Sequence, residues 1–86
     1  MSVHGEFERY LDATLAALRD SGRPGFRGWA DEIEAQVTNR EEALEERARR
    51  VLDGPLGQRD SEWQGFAPVE QPAVRLVSIS RIILGR

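Results

Sequence analysis

The sequence predicts a single, mainly α-helical domain: three helices, a long aromatic-anchored loop and a C-terminal extended strand. Apolar residues recur every three or four positions through residues 1–54, which is the periodicity of helices that bury one face. Glycine and proline are spread through residues 55–72, and β-branched residues are frequent in residues 73–86. We therefore divide the domain into a helical core (1–54), a loop packed on the helices (55–72) and an apolar, basic tail (73–86).

The composition is that of a small globular protein. An apolar fraction of 40% with 31% charged residues is too apolar for a disordered chain. The absence of cysteine excludes disulfides and thiol chemistry, and fits a cytoplasmic protein. No signal peptide opens the sequence, and the apolar stretch near the C-terminus is too short to span a bilayer. We therefore expect a soluble protein without a transmembrane segment.

The first helix is predicted over residues 2–21. Its apolar stripe comprises Val3, Phe7, Leu11, Leu15 and Leu18, at steps of three or four. Ser2 is a typical N-cap residue, and Gly22 is a typical residue to follow a helix C-terminus. The glycines and Pro24 of the next segment end the helix.

The second helix is predicted to begin between Phe26 and Trp29 and to end near Val37. Trp29, Ile33 and Val37 give its stripe at i, i+4 and i+8. Thr38 stands three residues before Glu41, which is the spacing of a capping box at a new helix start. We therefore favour a break at residues 38–39, although one continuous helix through residue 53 is the alternative.

The third helix is predicted over residues 40–53. Its acidic residues come early and its arginines late, an order that suits the helix dipole. Two i, i+4 pairs, Glu45 with Arg49 and Glu46 with Arg50, are expected on a solvated face. Docking of a basic partner on the acidic turns is the alternative interpretation.

The loop over residues 55–72 has two apolar anchors, Trp63 and Phe66. We expect them to pin the loop across the helices, and an exposed binding site is the alternative. Residues 63–65 (WQG) resemble the turn motif of the WXG helical-hairpin family. In that family the motif joins two long helices, whereas the segment that follows here is predicted to be a short strand, so no family is assigned.

The tail is predicted to be a strand because its apolar side chains spread nearly all round a helical axis and many are β-branched. One strand cannot satisfy its own backbone hydrogen bonds. A second strand within residues 56–66, pairing of two tails in a dimer, and addition to another protein's sheet are the possible solutions. Packing of the tail on its own helices as a helical or irregular piece is the alternative.

No motif for catalysis, a cofactor or a metal is present, and His4 is the only histidine. We therefore predict a non-enzymatic, bacterial-type interaction protein, such as an adaptor, an inhibitor or antitoxin, or an assembly subunit. It would bind another protein or a second copy of itself. The predicted contact residues are Trp63, Phe66, Arg75, Leu76, Val77, Ile79, Arg81, Ile82, Ile83 and Leu84, with Arg86 also helping to orient the partner.

A dimeric regulator that binds nucleic acid through Arg47, Arg50, Arg75 and Arg81 is the alternative function. The net charge of −3 and the acidic start of the third helix make nucleic acid an unlikely partner. Three arginines beside isoleucines also resemble a membrane-surface anchor, but the missing helical moment makes that role unlikely.

Overall fold

A computed structural model describes residues 2–85. Six helices account for most of this range, and no strand occurs within it. The helices are α1 (Val3–Asp20), α2 (Pro24–Val37), α3 (Leu44–Asp53), α4 (Pro55–Gln58), α5 (Asp60–Trp63) and α6 (Ala67–Leu84).

Helix α1 has the termini that its sequence predicts. The Ser2 side chain accepts a hydrogen bond of 3.1 Å from the Gly5 backbone N–H. Gly22, two residues beyond the helix, has a φ of 76°, a left-handed conformation that favours glycine. The inner face buries Phe7, Leu11 and Leu18 completely.

The predicted break after Val37 is present, but it is longer than expected. Helix α2 ends at Val37 and α3 begins only at Leu44, so Glu41 and Glu42 precede the helix. The predicted capping box is absent, because α3 has no side-chain cap. The Glu41 N–H instead donates to the Asn39 side chain, which forms a local turn.

The ion pairs expected on α3 have different partners. Arg49 pairs with Glu46 at 2.9 Å, three residues away. Arg50 pairs with Glu42 at 2.9 Å, so it links the helix to the turn before it. Neither of the predicted i, i+4 pairs is formed among the described residues.

The segment between α3 and α6 is compact and partly helical. Trp63 is 2% exposed, and its indole N–H donates a hydrogen bond of 3.0 Å to the Leu56 carbonyl oxygen. The Phe66 ring packs against Phe26 with centroids 5.7 Å apart. These two aromatic residues therefore hold the segment on the helices, as predicted.

The predicted C-terminal strand is wrong, because residues 67–84 form helix α6. A helix bonds its own backbone, whereas a strand here would have no partner. Pro72 lies inside the helix, near its start, and Gly85 ends it with a φ of 72°. The wide apolar arc of the tail reflects two packing neighbours, since α6 makes its largest contacts with both α1 and α3.

Helix α6 supplies a large part of the hydrophobic core. Val69, Ala73 and Leu76 are fully buried, together with residues of α1, α2 and α3 in one continuous cluster. Ser80 is also buried, and its hydroxyl donates to the Leu76 carbonyl oxygen at 2.7 Å. The helical core therefore continues into the tail as far as Leu84.

Candidate interaction surface

The structure divides the predicted contact residues of the tail between the core and the surface. Leu76, Val77 and Ile79 are at most 7% exposed, because they face α1, α3 and α4. Ile82 is 64% exposed, and Ile83 and Leu84 are half-buried at the edge of the core. Arg86 lies outside the described residues.

The outward side of α6 carries a row that we call the α6 ridge, formed by Val74, Ser78 and Ile82. These residues are four apart, so they lie along one side of the helix. Val74 is 44% exposed and Ile82 is 64% exposed, which makes them two of the three most exposed large apolar residues among residues 2–85. The third, Val3, is at the start of α1.

A shallow groove separates the α6 ridge from α1. Glu6 and Tyr10 line it from α1, and Arg75, Ile79 and Ile82 line it from α6. The Arg75 guanidinium lies 5.9 Å from the centre of the Tyr10 ring, within the range of a cation–π contact. The groove therefore has an apolar floor with a carboxylate and a guanidinium at its rim.

A second groove lies on the other side of the ridge. Leu56, Trp63 and Val77 form its apolar walls. Asp60 and Arg81 supply charged groups from α5 and α6. The structure thus brings three predicted contact residues, Trp63, Val77 and Arg81, to one depression, although Trp63 and Val77 present little surface there.

The two arginines that flank the ridge, like Arg23 and Arg27 at the start of α2, have no acidic partner within residues 2–85. Most other arginines are engaged in ion pairs, namely Arg19, Arg40, Arg47, Arg49, Arg50 and Arg59. Within residues 2–85, neither Arg75 nor Arg81 forms an ion pair, and neither does Glu6, which lines the same groove as Arg75. These charges are free to pair with groups on another molecule.

The arginines proposed for a nucleic-acid surface do not lie together. Arg47 is fully buried: its Nε donates to the Val37 carbonyl oxygen at 2.7 Å, its Nη1 pairs with Glu8, and its guanidinium lies over the Phe7 ring. Arg50 pairs with Glu42 beside it. Only Arg75 and Arg81 of the four are exposed without an acidic partner.

Sequence reasoning missed the parts of the surface that lie outside the tail. Glu6 and Tyr10 come from α1, and only the folded structure shows that they border α6. Val74 and Ser78 were missed for another reason. The spacing of four residues from Val74 to Ser78 and from Ser78 to Ile82 is visible in the sequence, but it places them on one face only if the tail is a helix.

Residues 2–85 contain no cluster of three or more His, Asp or Glu side chains placed to hold a metal ion. In the same range, no helix combines the length and apolar character that crossing a bilayer requires. No protein-family model matches the chain, and no curated protein or solved structure matches it significantly.

Proposed function

We propose that this chain is a small, non-catalytic protein–protein interaction domain that binds its partner through the α6 ridge and its two flanking grooves. The exposure of Ile82 and Val74 in one row carries the proposal. Apart from Val3 at the start of α1, the other large apolar side chains of residues 2–85 are buried or half-buried, so two exposed apolar residues in one row of α6 indicate a contact surface.

The charges support the same surface. Arg75 and Arg81 flank the ridge without acidic partners, and guanidinium groups at the rim of an apolar patch are typical of protein interfaces. Leu76, Val77 and Ile79 serve the interaction indirectly, because they fix α6 on the core and thereby hold the ridge in place.

The dimeric nucleic-acid regulator is disfavoured by the burial of Arg47, which cannot reach a phosphate while it holds Val37 and Glu8. For localisation we propose the cytoplasm, on the basis of a sequence that has no cysteine.

The test is site-specific photo-crosslinking in the cells that produce the protein. A benzophenone amino acid is placed at Ile82, and the matched control places it at Ala35, an exposed position on α2. We expect a discrete adduct from position 82 and none from position 35. Equal labelling from the two positions would show that the ridge is ordinary solvent-exposed surface.

A further inference from the structure

The residue types of the α6 ridge and its flanking arginines are arranged symmetrically about Ser78. Val74 and Ile82 lie four residues before and after it, and Arg75 and Arg81 lie three residues before and after it. On a helix these positions fall about 40° and about 60° to either side of Ser78. In an antiparallel, two-fold symmetric pair of identical helices, each residue of one copy comes level with the residue equally far on the other side of the centre in the second copy.

This pairing matches the apolar groups of the ridge. With the axis beside Ser78, Val74 of one copy is level with Ile82 of the other at both ends of the contact, and both lie close enough to the centre line to meet diagonally across it. Arg75 of one copy is level with Arg81 of the other in the same way, but these two lie further out on opposite sides of the ridge, so the like charges do not face each other. Ser78 faces Ser78, and its small side chain permits close approach where the helices cross. Rows of residues four apart on both helices interdigitate in the commonest class of helix packing, with a crossing angle of about −50°.

The pairing also matches the charges on the α1 side. Tyr10 and Ala13 line a groove with Pro72 and Arg75, whereas Glu6 lines the groove that continues to Ile79 and Ile82, so α1 runs antiparallel to α6. In the two-fold pair, the α1 helices of both copies lie on the same side of the contact and run in opposite directions. Glu6 of one copy therefore comes within about one helical turn of Arg75 of the other, and this contact occurs twice.

The opposite side of the ridge is complementary in the same way. In the pair, Arg81 of one copy lies on the α5 side of the second copy, near the level of Val74. Asp60 lines the groove on that side, together with Val74 and Arg81 of its own chain. Each copy thus offers one acidic and one basic group on each side of the ridge, in the arrangement that a two-fold contact needs.

We infer that the partner of the α6 ridge is a second copy of this chain, in an antiparallel, two-fold symmetric α6–α6 contact centred on Ser78. This inference rests on the proposed function, because it names the occupant of the same surface. Few large apolar side chains are available to it, so we expect a weak dimer with a Kd on the order of 100 µM.

The first experiment uses charge reversal and sedimentation equilibrium on the full chain, between about 10 µM and about 1 mM. The wild-type mass should rise from 9.7 kDa toward twice that value. Glu6→Arg and Arg75→Glu should each weaken association at least about tenfold, because each places two like-charge contacts in the homodimer. An equimolar mixture of the two variants should regain wild-type affinity, since both contacts in the mixed dimer are then complementary.

The mixture is the decisive sample, because neither variant restores a charge pair within its own chain. If the mixture associates no more tightly than the separate variants, the two-fold contact is wrong.

The second experiment does not depend on charge changes. The chain has no cysteine, so Ser78→Cys introduces a single thiol at the axis, where a disulfide between the copies is geometrically accessible. Under mild oxidation the covalent dimer should form at least about tenfold faster than with Ala35→Cys, the exposed control on α2. Equal rates for the two variants would overturn the inference.

The outcomes separate this inference from the proposed function. If the wild-type chain stays at 9.7 kDa throughout while Ile82 crosslinks to a different protein, self-pairing is wrong and the proposed function stands. If Ile82 gives no adduct of either kind, both fail.

Discussion

Arg47 binds the end of a neighbouring helix: its Nε donates a hydrogen bond of 2.7 Å to the carbonyl oxygen of Val37, the last residue of α2. The last carbonyl groups of a helix have no partner within the helix, and a cation there also suits the helix dipole. Arg47 comes from α3 and reaches Glu8 of α1 as well. One buried side chain therefore joins three helices.

The first prediction concerns this side chain. Arg47→Ala should lower the free energy of unfolding by about 3 kcal/mol, because it removes a buried ion pair and leaves the end of α2 without its donor. Arg49→Ala, on the same helix but half-exposed, is the control and should cost less than about 0.5 kcal/mol. Urea unfolding followed by circular dichroism measures both, and similar values would contradict the structural role of Arg47.

The second prediction tests the contact between α4 and α3. A Cβ atom at Gly57 would collide with the carbonyl oxygen of Leu52, which belongs to the backbone and cannot turn aside. Gly57→Ala should therefore cost at least about 2 kcal/mol. Gly28→Ala has open space in α2 and should instead stabilise the protein by about 0.5 kcal/mol or more. Thermal unfolding should shift in opposite directions for the two variants, and shifts of the same sign would count against the observed packing.

The third prediction concerns the two tryptophans. Trp63→Phe should cost about 2 kcal/mol, since it removes the hydrogen bond to Leu56 and some buried volume. Trp29→Phe is the matched control, because the Trp29 indole N–H has no hydrogen-bond partner among the described residues. It should cost about 1 kcal/mol less. Chemical unfolding followed by circular dichroism gives both values, and equal costs would argue against the Trp63 hydrogen bond.

The fourth prediction distinguishes helix from strand in the tail. On a strand, Leu76 and Ile82 would share a face and would respond alike to truncation. On α6, Leu76 is fully buried and Ile82 is 64% exposed. At a protein concentration low enough to exclude association, Leu76→Ala should cost about 3 kcal/mol and Ile82→Ala less than about 1 kcal/mol. Comparable losses at both positions would contradict the helical register.

The helices of the first half of the chain were predictable from local signals. The 3.6-residue periodicity, the Ser2 cap and Gly22 located α1 closely, because each signal acts within a few residues of its own position. Thr38 and Asn39 signalled a break, but not its length. The turn over residues 38–43 depends on Arg47 and Arg50, which bind the end of α2 from the next helix.

The tail was mispredicted because its local signals conflict. Its β-branched residues and wide apolar arc favoured a strand, with Pro72 at the entrance of that strand. Two distant helices, α1 and α3, pack on different sides of α6 and bury that wide arc. A sequence read one segment at a time does not show how many neighbours a helix has.

The sequence by itself determined that the chain is a small, mainly helical domain with aromatic core anchors, since these properties follow from composition and short-range periodicity. It also marked the tail as the segment with the most apolar and most basic composition. Only the tertiary structure decided that the tail is a central helix, which of its residues face outward, and that Glu6 lines the same groove as Ile82. The physical reason is that backbone hydrogen bonds are satisfied locally in a helix, whereas burial and charge pairing depend on residues far apart in the chain.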